Sequence, residues 1–279
     1  MQPRRIGGAV IIGAVALIAV LAPWLATHDP LKSSVFSLQG PTADYLLGTD
    51  DLGRDVFSRL LYGARSSLTV GFGAALAAAL VGVPIGLAAG YFRGNVDLAI
   101  VFLIDLFIAL PALILALIVV VMIGPSVLNL VIVLGLVMWP QIARLVRGQT
   151  LAVREATFIE AARASGGTPA WIITRHVLPN IMRVIAAQFA ITVSFSIFTS
   201  ASLSFLGLGI PPPTPDWGGM VRAGYEFLAI NPWISLAPGT AVALTVMGFY
   251  MIGSTAERRK QRSPDPRPRP THRFSMSAA

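Results

Sequence analysis

Long apolar runs separated by short polar segments dominate the pattern of the chain. Six of these runs are close to or above the roughly 20 residues that a helix needs to cross a 30 Å hydrocarbon layer. They cover residues 6–26, 66–90, 98–123, 127–145, 181–208 and 234–253. The pattern predicts an all-α integral membrane protein with six transmembrane helices. The first run is expected to be retained, because no small-residue cleavage site follows it.

Glycine and proline inside these runs predict how the helices meet. Gly82, Gly86 and Gly90 are four residues apart, so they share one helix face and allow a neighbouring backbone to approach closely. Pro84 and Pro111 also fall inside runs, where proline removes a backbone donor and kinks or breaks a helix.

The distribution of charge predicts the orientation. With a cytoplasmic N-terminus, 16 of the 21 lysine and arginine residues fall on the cytoplasmic side. The positive-inside rule therefore places both termini in the cytoplasm. It also accounts for the net charge of +8 without a nucleic-acid partner.

The composition excludes several classes of protein. Charged residues make up 12% of the chain, against roughly 25% in soluble domains, and the mean hydropathy is +0.73. There is no cysteine, and the three histidines are scattered, so we expect no disulfide and no metal site. The only lysines, Lys32 and Lys260, do not lie in a Gly-Lys-Ser/Thr sequence, so the chain has no phosphate-binding P-loop and is not itself an ATPase.

Three regions follow from these patterns. Residues 1–64 form the first transmembrane helix and an outer loop, and residues 65–254 form the core, with a large cytoplasmic loop at about 148–180. The tail, residues 255–279, is basic and rich in proline. We expect it to be disordered and to lie near anionic membrane lipid.

The cytoplasmic loop contains the sequence REATFIEAARASGGTPAWIITRHVLPN from Arg154 onward. It predicts a short helix over 155–165, ended by Gly166 with a positive φ, and a second over 170–177, started by Thr168 and ended by Pro179. From the residues alone, the first helix is either a knob that enters a groove of another protein or a helix on the membrane surface.

The motif Glu160-Ala161-Ala162, followed by Gly166 and later by Leu178-Pro179, resembles the EAA loop of binding-protein-dependent ABC importer permeases. Three other stretches are similar to the peptide/nickel branch of that family: LGTDDLGRDVFSRLLYGAR, WPQIARLVRGQ and SLSFLGLGIPPPTPDWGGM. The resemblance covers about residues 46–252 and is closest to C-type subunits of dipeptide and oligopeptide transporters. The chain departs from the family at its end, where Gly253-Ser254-Thr255 stands in place of a Gly-Asp-x-Leu-Arg-Asp run.

The resemblance implies a type I ABC importer transmembrane domain in the bacterial plasma (inner) membrane. Such a subunit would form the pathway for di- or oligopeptides with a homologous B-type permease. Two separate ATPase subunits would bind ATP and magnesium, so this chain would hold no cofactor, and an external substrate-binding protein would deliver the substrate. A nickel importer of the same family and an ATP-independent secondary transporter are the alternatives.

Three groups of residues are candidates for function. For contact with the ATPase, the resemblance points to Phe158, Glu160, Ala161, Ala162 and Gly166. A polar stripe on the fifth run either lines the pathway or packs helices together; it consists of Gln188, Thr192, Ser196, Thr199 and Ser200. Charged and aromatic outer residues either dock the binding protein or belong to a solvated loop; they are Asp50, Asp51, Arg54, Asp216, Trp217 and Arg222.

Asp105 is the only acidic residue predicted inside a span. An ionisable group at that depth is by default a candidate for a role in transport. Pairing with an arginine of another span is the alternative.

Overall fold

The computed structural model describes residues 3–261, and this part of the chain is helical with irregular connections. The helices are α1 (Pro3–Leu25), α2 (Val56–Phe92), α3 (Gly94–Ala109), α4 (Ala112–Ile123), α5 (Val127–Arg154), α6 (Thr157–Ala164), α7 (Pro169–Ile172), α8 (Leu178–Phe205), α9 (Trp217–Tyr225) and α10 (Trp233–Gln261). A π-helical turn, Ile173–Val177, joins α7 to α8. Most of the predicted tail lies outside the described residues, and α10 continues to Gln261.

Five helical segments are long and apolar enough to cross a membrane, and the count rises to six if the bent pair α3 and α4 is one span. The two helices of that pair are bent by 85°. Leu110, between them, is extended (φ −90, ψ 132), the conformation imposed on a residue that precedes proline. The predicted break at Pro111 is therefore confirmed, whereas α2 continues through Pro84 as one helix.

Helices α2 and α5 run parallel and in very close contact. A Cβ atom added at Gly82 would lie 2.7 Å from the carbonyl oxygen of Trp139, and one at Gly86 would lie 2.5 Å from that of Ala143. At Gly90 the nearest atom would be Cβ of Thr150, at 2.6 Å. The glycine spacing thus predicts this packing correctly, because only a missing side chain lets the two backbones approach so far.

Helix α8 packs against α2 and α10 at two notches, where a glycine of the neighbouring helix leaves room for an isoleucine side chain of α8. A Cβ atom at Gly71 of α2 would lie 2.4 Å from Cγ1 of Ile197, and one at Gly253 of α10 would lie 2.5 Å from Cγ1 of Ile191. Val193 and Ile197 are buried there in one apolar cluster with Ala75. Helix α8 is therefore held on two sides by its own chain.

Ion pairs join α3 to α5. The Arg147 guanidinium donates to both carboxylate oxygens of Asp97, one of them at 2.7 Å. Nearer the middle of α3, Asp105 pairs with Arg144, and both side chains are more than half exposed. The structure thus gives Asp105 the partner on another span that the sequence left as an alternative.

Candidate coupling loop and outer surface

The short helix α6 presents most of its surface to solvent. Phe158, Glu160 and Ala161 are exposed, and Ala162 is half-buried. Ile159 alone is fully buried and belongs to the main apolar cluster of the bundle, together with Ile172. Ile159 and the half-buried Ala162 therefore hold one face of α6 against the protein, and the opposite face is exposed.

The ends of α6 follow from local backbone chemistry. Gly166 has φ +82 after the last turn, as predicted for a helix stop. The helix begins at Thr157, two residues later than predicted, because Glu155 still caps α5 and Ala156 is extended (φ −76, ψ 142). The Thr168 hydroxyl accepts a hydrogen bond from the Trp171 N–H, so the predicted cap of the next helix is confirmed.

The predicted stop at Pro179 is wrong. From Pro169 the chain is one helical segment as far as Phe205. The turn before the proline is π-helical, and the Leu178 N–H donates to the carbonyl of Ile173, five residues back. This wider turn accommodates the proline ring, which would otherwise clash with the carbonyl four residues before it. Helix α7, the π-helical turn and α8 therefore form one continuous helical segment.

A contact between arginine and tyrosine side chains connects α6 to the C-terminal end of α2. The guanidinium of Arg163 lies 5.4 Å from the ring centroid of Tyr91, and that of Arg154 lies 5.8 Å from the same ring. Tyr91 is buried. Both arginines make cation–π contacts with a tyrosine that lies far earlier in the chain, so no local pattern indicates these contacts.

The polar stripe of α8 faces the interior of the chain. Gln188 is half-buried, and the other members, Thr192, Ser196, Thr199 and Ser200, are buried. The Thr192 hydroxyl donates to the carbonyl of Gln188 in its own helix. The exposed face of α8 instead carries Phe195, Phe198 and Phe205. In this structure the stripe therefore takes part in helix packing and does not line an open surface.

The charged residues of the outer loop pair with one another. The Asp50 carboxylate accepts hydrogen bonds from the Arg54 N–H at 2.8 Å and from the Arg54 Nε–H at 2.7 Å. Arg59 Nε is 3.5 Å from the same carboxylate, and Arg59 Nη1 donates to the carbonyl of Pro30 at 3.0 Å. Asp50, Arg54 and Arg59 are all buried. Two of the predicted docking residues, Asp50 and Arg54, thus stabilise the outer loop.

Asp216 and Trp217 are buried as well. The Asp216 carboxylate caps α9 by accepting from the Gly219 N–H at 2.9 Å, and burial raises its pKa above the usual range. The Trp217 Nε1–H donates to the carbonyl of Leu60 in α2 at 3.0 Å. Of the six predicted docking residues, only Asp51 and Arg222 are exposed.

The charges do not form a metal centre. Within residues 3–261, no three His, Asp or Glu side chains are grouped so that they could hold a metal ion.

Comparison with known proteins gives consistent matches. Residues 82–261 match the family described as binding-protein-dependent transport system inner membrane component. The dipeptide transport system permease protein DppC of Alkalihalophilus pseudofirmus is 41% identical over 247 residues, 88% of this chain and 81% of that protein. The glutathione transport system permease protein GsiD of Pectobacterium atrosepticum is 40% identical over 254 residues, 90% of this chain and 84% of that protein. Among solved structures, an inward-facing MetNI methionine ABC transporter chain superposes with a TM-score of 0.58 at 22% identity, covering 73% of this chain and 95% of its own.

Proposed function

This chain belongs to the family of binding-protein-dependent transport system inner membrane components, and on that premise we propose that it is the permease subunit of an ATP-driven importer of short peptides. It is a multi-pass protein of the bacterial inner membrane. The resemblance found in the sequence is confirmed by the family match and by relatives at about 40% identity over most of the chain.

The substrate proposal rests on the relatives. The matching proteins are named as permeases for dipeptides and for glutathione, a tripeptide, and this supports peptide over nickel. An ATP-independent secondary transporter predicts ion-coupling acidic groups at membrane depth and no ATPase partner. Asp105 is paired with Arg144, so the structure offers that alternative no support.

The observation that carries the proposal is the exposed face of α6. Phe158, Glu160 and Ala161 project from a helix whose one fully buried side chain is Ile159, and they suit insertion into the groove of an ATPase subunit. Ala162 and Gly166 set the close approach and the turn at its end. When the two ATPase subunits close, they would displace α6, and the continuous segment from Pro169 would pass this displacement to α8.

The remaining partners and the topology are part of the proposal. A homologous B-type permease would complete the pathway, and ATP with magnesium would bind to the ATPase subunits alone. An external binding protein would dock on the outer face, where Asp51 and Arg222 are the exposed members of the predicted set. If α3 and α4 form one broken span, six spans bring both termini to the cytoplasm, in agreement with the positive-inside rule. The basic tail, residues 255–279, would lie at the lipid surface.

Reconstitution tests the proposal. The chain, its partner permease, the ATPase subunits and the binding protein are placed in liposomes, and uptake of a labelled dipeptide, labelled glutathione and nickel ions is measured with and without ATP. We expect ATP-dependent uptake of a peptide and none of nickel. Nickel uptake, or peptide uptake that needs no ATP, would contradict the proposal.

The topology is tested in living cells with two reporter fusions, one near Ser37 and the other near residue 258. The first should be external and the second cytoplasmic.

A further inference from the structure

A cavity of about 530 Å³ lies at the outer end of α8, beside the surface where docking is proposed. One wall is the loop that follows α8, with Ile210, Pro211 and Pro212, and the other is α9. Its volume is within the range of protein pockets that bind small ligands, about 300–1,000 Å³. Its walls are apolar apart from a few charged and hydroxyl groups.

Arg222 is the cationic group of this cavity. Its guanidinium lies directly against Gly207, where an added Cβ atom would be 1.7 Å from Nη1 and where φ is +88. Any residue other than glycine would therefore displace the guanidinium. Within the described part of the chain, no carboxylate lies within 4.0 Å of it. The site thus holds an arginine in a defined place and leaves its charge unpaired.

The cavity also contains two carboxylates. Glu226, four residues after Arg222, lines it without pairing with that arginine, although residues at this spacing lie on one helix face. Asp51 also lines the cavity, but its carboxylate is 3.9 Å from the guanidinium of Arg54 and therefore already has a cationic partner. Among the described residues, the unpaired charged groups of the cavity are thus one cation, Arg222, and one carboxylate, Glu226, so they suit a ligand that carries both an anionic and a cationic group.

We propose that this cavity receives the short peptide released by the binding protein, with Arg222 pairing with its α-carboxylate and Glu226 with its ammonium group. This inference rests on the proposed function, since it concerns the same substrate. Cβ atoms four residues apart on a helix are about 5–6 Å from each other. The ends of an extended dipeptide are at most about 7 Å apart, so side chains at this spacing can reach both of its termini. Arginine is suited to the first role because it binds a carboxylate with two parallel hydrogen bonds.

The test measures peptide binding without the binding protein. Saturation-transfer NMR is recorded for Ala-Ala with the assembled permease–ATPase complex in nanodiscs. We expect millimolar binding that R222Q weakens at least tenfold, while the same change at another exposed outer cation, K32Q, leaves it unchanged. Amidated Ala-Ala should bind the unaltered complex as weakly as Ala-Ala binds R222Q. E226Q should weaken Ala-Ala but not N-acetyl-Ala-Ala.

Three results would overturn the proposal. They are the absence of a saturation-transfer signal for Ala-Ala, an equal signal for Ala-Ala with R222Q and with the unaltered complex, and equal binding of Ala-Ala and amidated Ala-Ala. If R222Q lowers the affinity for the binding protein and leaves the Ala-Ala signal intact, Arg222 serves docking and the subsite is rejected. If a complex takes up peptide in an ATP-dependent manner but gives no saturation-transfer signal for Ala-Ala, this inference alone is rejected and the proposed function stands.

Discussion

Arg163 of the exposed helix α6 lies over the ring of Tyr91 at the inner end of α2, with its Cζ atom 5.4 Å from the ring centroid. This contact joins the element proposed to meet the ATPase to a helix other than α8. Because α2 is packed backbone to backbone against α5, a displacement of α6 reaches the bundle by two routes.

Removal of the Tyr91 ring should separate ATP hydrolysis from transport. We expect Y91L to retain hydrolysis and to lose most of its stimulation by loaded binding protein, because a cation–π contact of about 0.5–2 kcal/mol is lost. Y91F keeps the aromatic face and is the matched control. The ratio of peptide transported to ATP hydrolysed is the measurement, and equal ratios in Y91L and Y91F would show that the contact is not needed.

Gly166 can be tested for backbone strain alone, since a Cβ atom there would meet nothing within 4 Å. At φ +82 a β-branched residue is strained, so G166V should reorient the turn after α6 and abolish transport while the spans still insert. G148V, at another glycine with open space but inside α5, should transport normally. Reversal of charge by E160K should also uncouple the complex. If each of the two single variants, G166V and E160K, transported at the normal rate, α6 would be eliminated as the coupling element.

The contact of α2 with α5 predicts a large loss of stability from one added side chain. G86V places atoms where Cβ alone would be 2.5 Å from a backbone oxygen, and overpacking of this kind costs about 1–3 kcal/mol or more. The same substitution at Gly13 of α1, which has open space around it, serves as the control. Thermal unfolding of the purified chains should show a lower midpoint for G86V only.

Asp216 predicts a pH-dependent stability. Its pKa is raised in the folded state by burial, so the folded protein binds a proton more tightly than the unfolded chain. Its contribution is fully present below the unfolded pKa, about 3.9, and is lost as the pH rises through the raised folded value.

D216N should remove this part of the pH dependence while it keeps the helix cap, and D216A should lose the cap at every pH, at a cost of about 1 kcal/mol. Unfolding midpoints measured from pH 4 upward for the three proteins test the sign. A midpoint of the unaltered protein that rises with pH relative to D216N would contradict it.

The polar stripe of α8 can be tested with cysteine, because the natural chain has none. S196C should be protected from a water-soluble thiol reagent in the resting complex, since Ser196 is fully buried. N180C, in the exposed first turn of α8, should react at once. Reaction of S196C after an ATP analogue is trapped would support the pathway role, and protection in every state would support helix packing.

Features that depend on local pattern were predictable. The apolar runs indicate the spanning helices, the spacing of Gly82, Gly86 and Gly90 indicates the contact with α5, and Gly166 marks the end of α6. Each depends on chemistry within a few residues along the chain.

Features that depend on distant partners were not predictable. The sequence does not reveal that Arg59 reaches the carbonyl of Pro30 or that Arg163 reaches Tyr91, because folding alone brings those groups together. The sequence indicates the stripe of polar residues on α8. It does not indicate which side of α8 is buried, because that depends on the contacts of α8 with Gly71 and Gly253 of other helices. Pro179 was predicted to end a helix, because the π-helical turn that accommodates it has no signature in the sequence.

The unbroken segment from Pro169 to Phe205 has a mechanical consequence. It is 37 residues long, which corresponds to about 55 Å, and Ile197 is seated in the notch at Gly71. A rod pivoting at that point has an inner arm of about 42 Å and an outer arm of about 12 Å. Its two ends would move in opposite directions, and the outer end would move about 0.3 times as far as the inner one. A displacement at Pro169 would thus reach the opposite end of the same helix reduced in size and reversed in direction, without a second moving element.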